Sequence, residues 1–146
     1  MFRSVKISSN KLTIFLLICA VVFVAVCFLM LRAGAPDSVD INGKPYSLRA
    51  VDDEDIAAFL SICGYPAATC ISRHDIKVPL HWNEIYERYQ ALQKKQGLDL
   101  VPYKGKPATE LIYEADRRYI TVIVSDDHII AVHICDADGG NMEGII

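Results

Sequence analysis

The chain has 146 residues, 52% of them hydrophobic, with 15 Lys and Arg against 18 Asp and Glu. Four of the basic residues and none of the acidic ones fall within residues 1–32, so the remainder carries 11 minus 18, or −7. An acidic exterior of this kind excludes nucleic acid and anionic head groups as electrostatic partners.

Residues 12–31, LTIFLLICAVVFVAVCFLML, form an uncharged apolar run. At about 1.5 Å per residue, a helix of this length is about 30 Å long and matches a bilayer's hydrocarbon core. Arg3, Lys6 and Lys11 precede the run, and only Arg32 follows it before Asp37 and Asp40. The positive-inside rule therefore predicts a cytoplasmic tail, 1–11, a transmembrane helix, 12–31, a linker, 32–38, and an extracytoplasmic domain, 39–146. A cleavable signal peptide is the competing reading, because Ala33-Gly34-Ala35 has the small-x-small form of a cleavage site. The run exceeds the roughly 7 to 15 residues of a signal core, and Pro36 would sit just after the cut, so a signal anchor that is not cleaved near Ala35 is expected. A lipoprotein signal fits less well, since Ile18 before Cys19 and Val26 before Cys27 are larger than the small residue required there.

Past the linker, Asn42-Gly43 inside residues 39–48 predicts a short hairpin, with Pro45 keeping it small or at an edge. A helix is expected from Asp52 or Asp53, where acidic residues through Asp55 favour the positive end of the helix dipole. Its apolar face is Ile56, Phe59, Leu60 and Cys63, and Gly64 suits a left-handed residue after the last turn. A strand over 69–80 follows, stopped at Val78-Pro79. Trp82, Ile85, Tyr86, Tyr89 and Leu92 define a second amphipathic helix over 82–96, closed by Gly97. After the loop LDLVPYKGKP, strands are expected at 108–115, 118–125 and 128–135, the middle one buried on both faces, with Asp126-Asp127 as a tight turn. The fold class is α+β: an amino-terminal transmembrane helix, then two helices packed on an antiparallel sheet of about four strands.

Several of these residues carry a likeness. Val78-Pro79, Ile85-Tyr86, Tyr89, the string Leu92-Gln93-Lys94-Lys95-Gln96-Gly97-Leu98-Asp99-Leu100, then Tyr103, Gly105 and Lys106, and finally Cys135, Gly140, Met142 and Gly144, resemble an uncharacterised domain family of Gram-positive bacterial proteins. The resemblance covers about residues 55–146. It implies one membrane segment and a small outer domain, and it transfers no catalytic residue. Where that family has Gly-Gly-Asp before an apolar residue and the cysteine, this chain has Ala131, Val132 and His133.

Candidate sites are few. Outside the apolar run three cysteines remain, Cys63, Cys70 and Cys135, an odd count that implies no closed disulfide framework. Cys63 and Cys70 flank the first helix-to-strand turn and could bridge outside a membrane; the alternative places Cys63 on the helix's apolar face and Cys70 in the strand. His133 and Cys135 lie two apart in a strand and point to one face, as an activated thiol or half a metal site would, with Asp136 or Asp138 as further ligands. The simpler alternative is a buried cysteine beside a hydrogen-bonded histidine. Residues 136–141, DADGGN, begin like a calcium loop but place glycine too early and lack the terminal glutamate. Trp82, Tyr86 and Tyr89 are expected in the core, which leaves Tyr46, Tyr65, Tyr103 and Tyr119 as exposed aromatic candidates; His74 and His81 are expected at the surface.

The expectation is a membrane-anchored, extracytoplasmic, non-catalytic binding or interaction module at the bacterial cell envelope, with no cofactor. Its partners would be the membrane, through residues 12–31, and a protein, cell-wall component or small molecule whose binding residues the sequence does not reveal. The alternatives are a thiol- or metal-dependent enzyme built on His133 and Cys135, and a structural subunit of a membrane complex.

Overall fold

The computed structural model describes residues 9–32, 34–138 and 140–146. Most of the expected cytoplasmic tail, Ala33 of the small-x-small site and Gly139 of the calcium-like loop lie outside them. The chain divides into two compact units, Met1–Gly34 and Ala35–Ile146.

The described part of the first unit is helix α1, Ser9–Arg32. Of its side chains, those of Ile14 and residues 16–27 are described, and all are exposed. Taken over the described residues, no helix is long and apolar enough to cross a membrane; the run 12–31 extends past those side chains at both ends.

The second unit is α+β. A two-stranded sheet, β1 (Ser38–Ile41) and β2 (Lys44–Ser47), turns on Asn42 and Gly43, both at positive φ as a two-residue hairpin requires. Helix α2, Asp53–Ile62, is capped by Asp52, whose carboxylate accepts the Asp55 N–H. It ends where Gly64 turns left-handed, so that Tyr65 N–H reaches Leu60 O and Gly64 N–H reaches Ser61 O. Strand β3 is Thr69–Lys77, shorter than expected because Val78 and Pro79 turn away. Helix α3, Glu84–Lys95, starts two residues later than its apolar pattern suggested, with Asn83 as cap and Trp82 left outside. After a single 3-10 turn, Val101–Tyr103, come β4 (Pro107–Ala115), β5 (Arg118–Ser125) and β6 (His128–Asp136).

Strands β3 to β6 pair in sequence order, all antiparallel. Asp116-Arg117 and Asp126-Asp127 make the two β4-to-β6 hairpins at positive φ. The first sheet face carries Leu111, Tyr113, Ile120, Val122, Val132 and Ile134 and packs with Ile56, Phe59 and Leu60 of α2 and with Val39 and Ile41 of the hairpin. The second face has its own, smaller cluster, in which Val78, Leu100, Tyr103, Ala108, Ile123 and Ala131 meet Ala35, Ile76, Trp82 and Tyr89. Central β5 is buried on both faces from Ile120 to Ile123, as its apolar run predicts.

Candidate functional site

Helix α3 contradicts the expectation drawn from its apolar stripe. Ile85 is 74% exposed and Tyr86 38%, Tyr89 and Leu92 are half-buried, and the face turned to the protein is Gln90, Gln93 and Gln96. The cause is the outer edge of β6, whose backbone groups need partners. Gln93 Oε1 accepts the Val132 N–H at 2.9 Å, and Gln96 Nε2 donates to Val132 O at 2.9 Å. Gln96 Oε1 also accepts the N–H groups of Ile145 and Ile146. Gln90 accepts the Leu100 N–H and donates to Asp99. Other segments close the rest of the edge: Leu48 O accepts the Ile129 N–H, and Glu143 exchanges two backbone hydrogen bonds with Ile134. Among the described residues, Gln93 Nε2 alone is a buried side-chain polar atom without a partner.

Docked on its glutamines, α3 holds its apolar stripe over the second sheet face, and a groove of about 580 Å³ lies between them. Ile85, Tyr86, Tyr89 and Leu92 form one wall, Ile76, Val78 and Pro79 the other. Ile123, Glu110 and His133 form the floor, and Met142 closes one part of the rim. The volume and the predominance of apolar lining, with a few polar groups, match small-molecule sites.

The polar end of the groove is a tyrosine–histidine pair. Tyr89 Oη and His133 Nδ1 share a hydrogen bond of 3.0 Å, and the rings meet edge to face at 5.4 Å. Burial pushes the His133 imidazole down to about 4, so it is neutral at physiological pH. Burial, reinforced by the nearby Glu110 carboxylate, pushes the Tyr89 phenol well above its ordinary value, so it keeps its proton. Two neutral groups thus meet beside apolar walls.

Cys135 shares the second face with His133, yet its Sγ donates to Tyr119 O at 3.7 Å, and the two candidates are not bonded to one another. Cys63 and Cys70 are free thiols in the structure. Cys63 packs against the first core, where burial raises its thiol to about 11, and Cys70 is exposed on β3, its Sγ donating to Ser72 O. In the calcium-like loop, Asp136 is taken by Arg118, which also pairs with Glu143. Among the described residues no three His, Cys, Asp or Glu side chains converge on a metal-sized site.

The aromatic candidates also need revision. Tyr103 is buried rather than exposed, while Tyr46 and Tyr65 pack partly against the first core and Tyr119 is half-buried. Of the expected core aromatics, Tyr86 is exposed and Trp82 is half-buried, its Nε1 donating to Pro79 O. His74 and His81 are at the surface. The missed groove residues had one signal: glutamines at i, i+3 and i+6 offered α3 a second face able to bury.

Fold and site together define an α+β domain with a preformed apolar groove. No protein-family model, curated protein or solved structure matches the chain.

Proposed function

We propose that this chain is a single-pass, signal-anchored membrane protein, amino terminus inside, whose outer domain is a non-catalytic module that binds a small apolar ligand in the groove between α3 and the sheet. Kinship of residues 55–146 with the uncharacterised Gram-positive family belongs to the same proposal, and a bacterial cell envelope is its setting. One observation carries the binding reading: a helix that could have buried Ile85, Tyr86, Tyr89 and Leu92 docks through three glutamines and leaves that stripe facing a groove. Exposed apolar surface in a concave setting is retained at a cost in solubility, which a ligand offsets. The tyrosine–histidine pair supplies a neutral polar end that orients a ligand.

The test uses the full chain in lipid nanodiscs with isoleucine methyls labelled for NMR, titrated with indole as a planar apolar probe. The Ile76, Ile85 and Ile123 methyls shift saturably, while Ile56, in the first core, does not. Uniform or absent shifts remove the reading.

A further inference from the structure

The floor of the groove holds a charged group that nothing answers. Glu110, half-buried on β4, lies directly opposite Ile123 of β5 and His74 of β3, so it faces the same side of the sheet as Ile123. None of the ion pairs among the described residues engages its carboxylate. His74 shares a hydrogen bond with Ser72 Oγ instead. The carboxylate stands near enough to the Tyr89 phenol to help hold the proton there. A carboxylate partly withdrawn from water and unpaired is costly, and a cation entering the groove relieves that cost.

Two cations also line the groove, and their placement differs. Arg88 is paired with Glu84 one helical turn earlier, at side-chain exposures of 79% and 76%. Lys77 is exposed at the last residue of β3. Charges interact about fourfold more weakly in bulk water than where protein lowers the effective dielectric constant, so these exposed groups weigh less on a bound ligand than Glu110 does. The longer-range field acts in the same direction, because residues 33–146 carry a net charge of −7, which draws cations and repels anions. Tyr86 and Tyr89 add aromatic rings to the helix wall, and such rings favour a cation over an anion.

We infer that the groove's ligand is a small amphiphilic amine, its apolar body along the α3 stripe and one protonated amino group held by the Glu110 carboxylate. The inference rests on the groove-binding reading above and names the chemistry of its ligand. Tyr89 and His133 are both neutral and add no repulsion to an ammonium group. A carboxylate ligand meets Glu110 as a like charge on the floor.

The isoleucine-labelled full chain in nanodiscs of zwitterionic lipid is titrated with three probes that share an indole body: tryptamine, a cation; indole-3-ethanol, neutral; and indole-3-propionate, an anion. Tryptamine shifts the Ile76, Ile85 and Ile123 methyls at concentrations lower than indole-3-ethanol by on the order of tenfold, and indole-3-propionate binds most weakly. Glu110→Gln brings tryptamine level with indole-3-ethanol, whose own affinity is unchanged. The three-probe comparison on the natural chain stands even where Glu110→Gln disturbs the fold, which the Ile56 methyl reports. Equal binding of tryptamine and indole-3-ethanol, or a preference for the anion, overturns the amine and leaves the groove. A tryptamine preference that survives in folded Glu110→Gln overturns Glu110 as its partner. No shift with any probe overturns the groove first and the amine with it.

Discussion

At the scale of single residues, Gln96 has the largest structural role relative to what its type suggests. It is a polar side chain that satisfies Val132 O and the N–H groups of Ile145 and Ile146 at once. Each buried group left without its partner costs about 1–3 kcal/mol, so Gln96→Leu should lower the stability of residues 35–146 by roughly 3 kcal/mol in a urea melt. Gln93→Leu should cost less, because it strands the Val132 N–H but also removes an amide that has no partner of its own. Equal losses would show that the two glutamines act by packing alone. Gly144 belongs to the same arrangement: a Cβ there would lie 2.7 Å from Gln96 Cδ, which explains why the tail passes at a glycine. His133 gives a pH dependence of definite sign. Between its ordinary value of 6.5 and about 4, the unfolded chain binds a proton that the folded chain does not. Stability should therefore fall as pH drops through that window and show no further His133 contribution below it, and His133→Gln should flatten the fall. A steeper fall in the variant would contradict a neutral buried imidazole.

Among the secondary elements, α2 and α3 illustrate what periodicity can and cannot reveal. Both show an apolar stripe at helical spacing, and Asp52 and the left-handed Gly64 and Gly97 mark helix ends where the sequence places them, whereas Asn83 caps α3 inside the span its apolar pattern suggested. Only α2 buries its stripe. Element type and boundaries depend on local chemistry, which the sequence displays, whereas the choice of buried face depends on what lies opposite. For α3 the opposite surface is a strand edge with unpaired peptide groups, and amides serve it better than aliphatic carbons. The same logic explains why the antiparallel sheet of about four strands and the hairpins at Asn42-Gly43 and Asp126-Asp127 were legible, while the groove, made by residues from β3, α3, β4, β5, β6 and the tail, was not. The contrast is measurable. Phe59 is 3% exposed, so Phe59→Ala should cost about 3–5 kcal/mol. Ile85→Ser, on the uncovered stripe, should change stability by no more than about 0.5 kcal/mol. A large loss at Ile85 would mean that α3 packs by its apolar side.

For the whole molecule, the testable expectation is orientation. The concentration of Arg3, Lys6 and Lys11 before the apolar run predicts that an alkaline phosphatase fusion after Ile146 is active in a bacterial host, whereas a fusion fluorescent only in the cytoplasm would reverse the topology. The covered edge of β6 has a further consequence, in time rather than space. Its partners are drawn from residues near 48, from 93 and 96, and from 143, and a chain made from its amino terminus presents these long before and just after the strand itself. The first core can begin to gather early, but the last strand is held only once the segment beyond it has emerged. If residues 12–31 anchor the chain as proposed, an outer domain built this way would cross the membrane unfinished, with the segment at Glu143 closing the β6 edge after the strand itself.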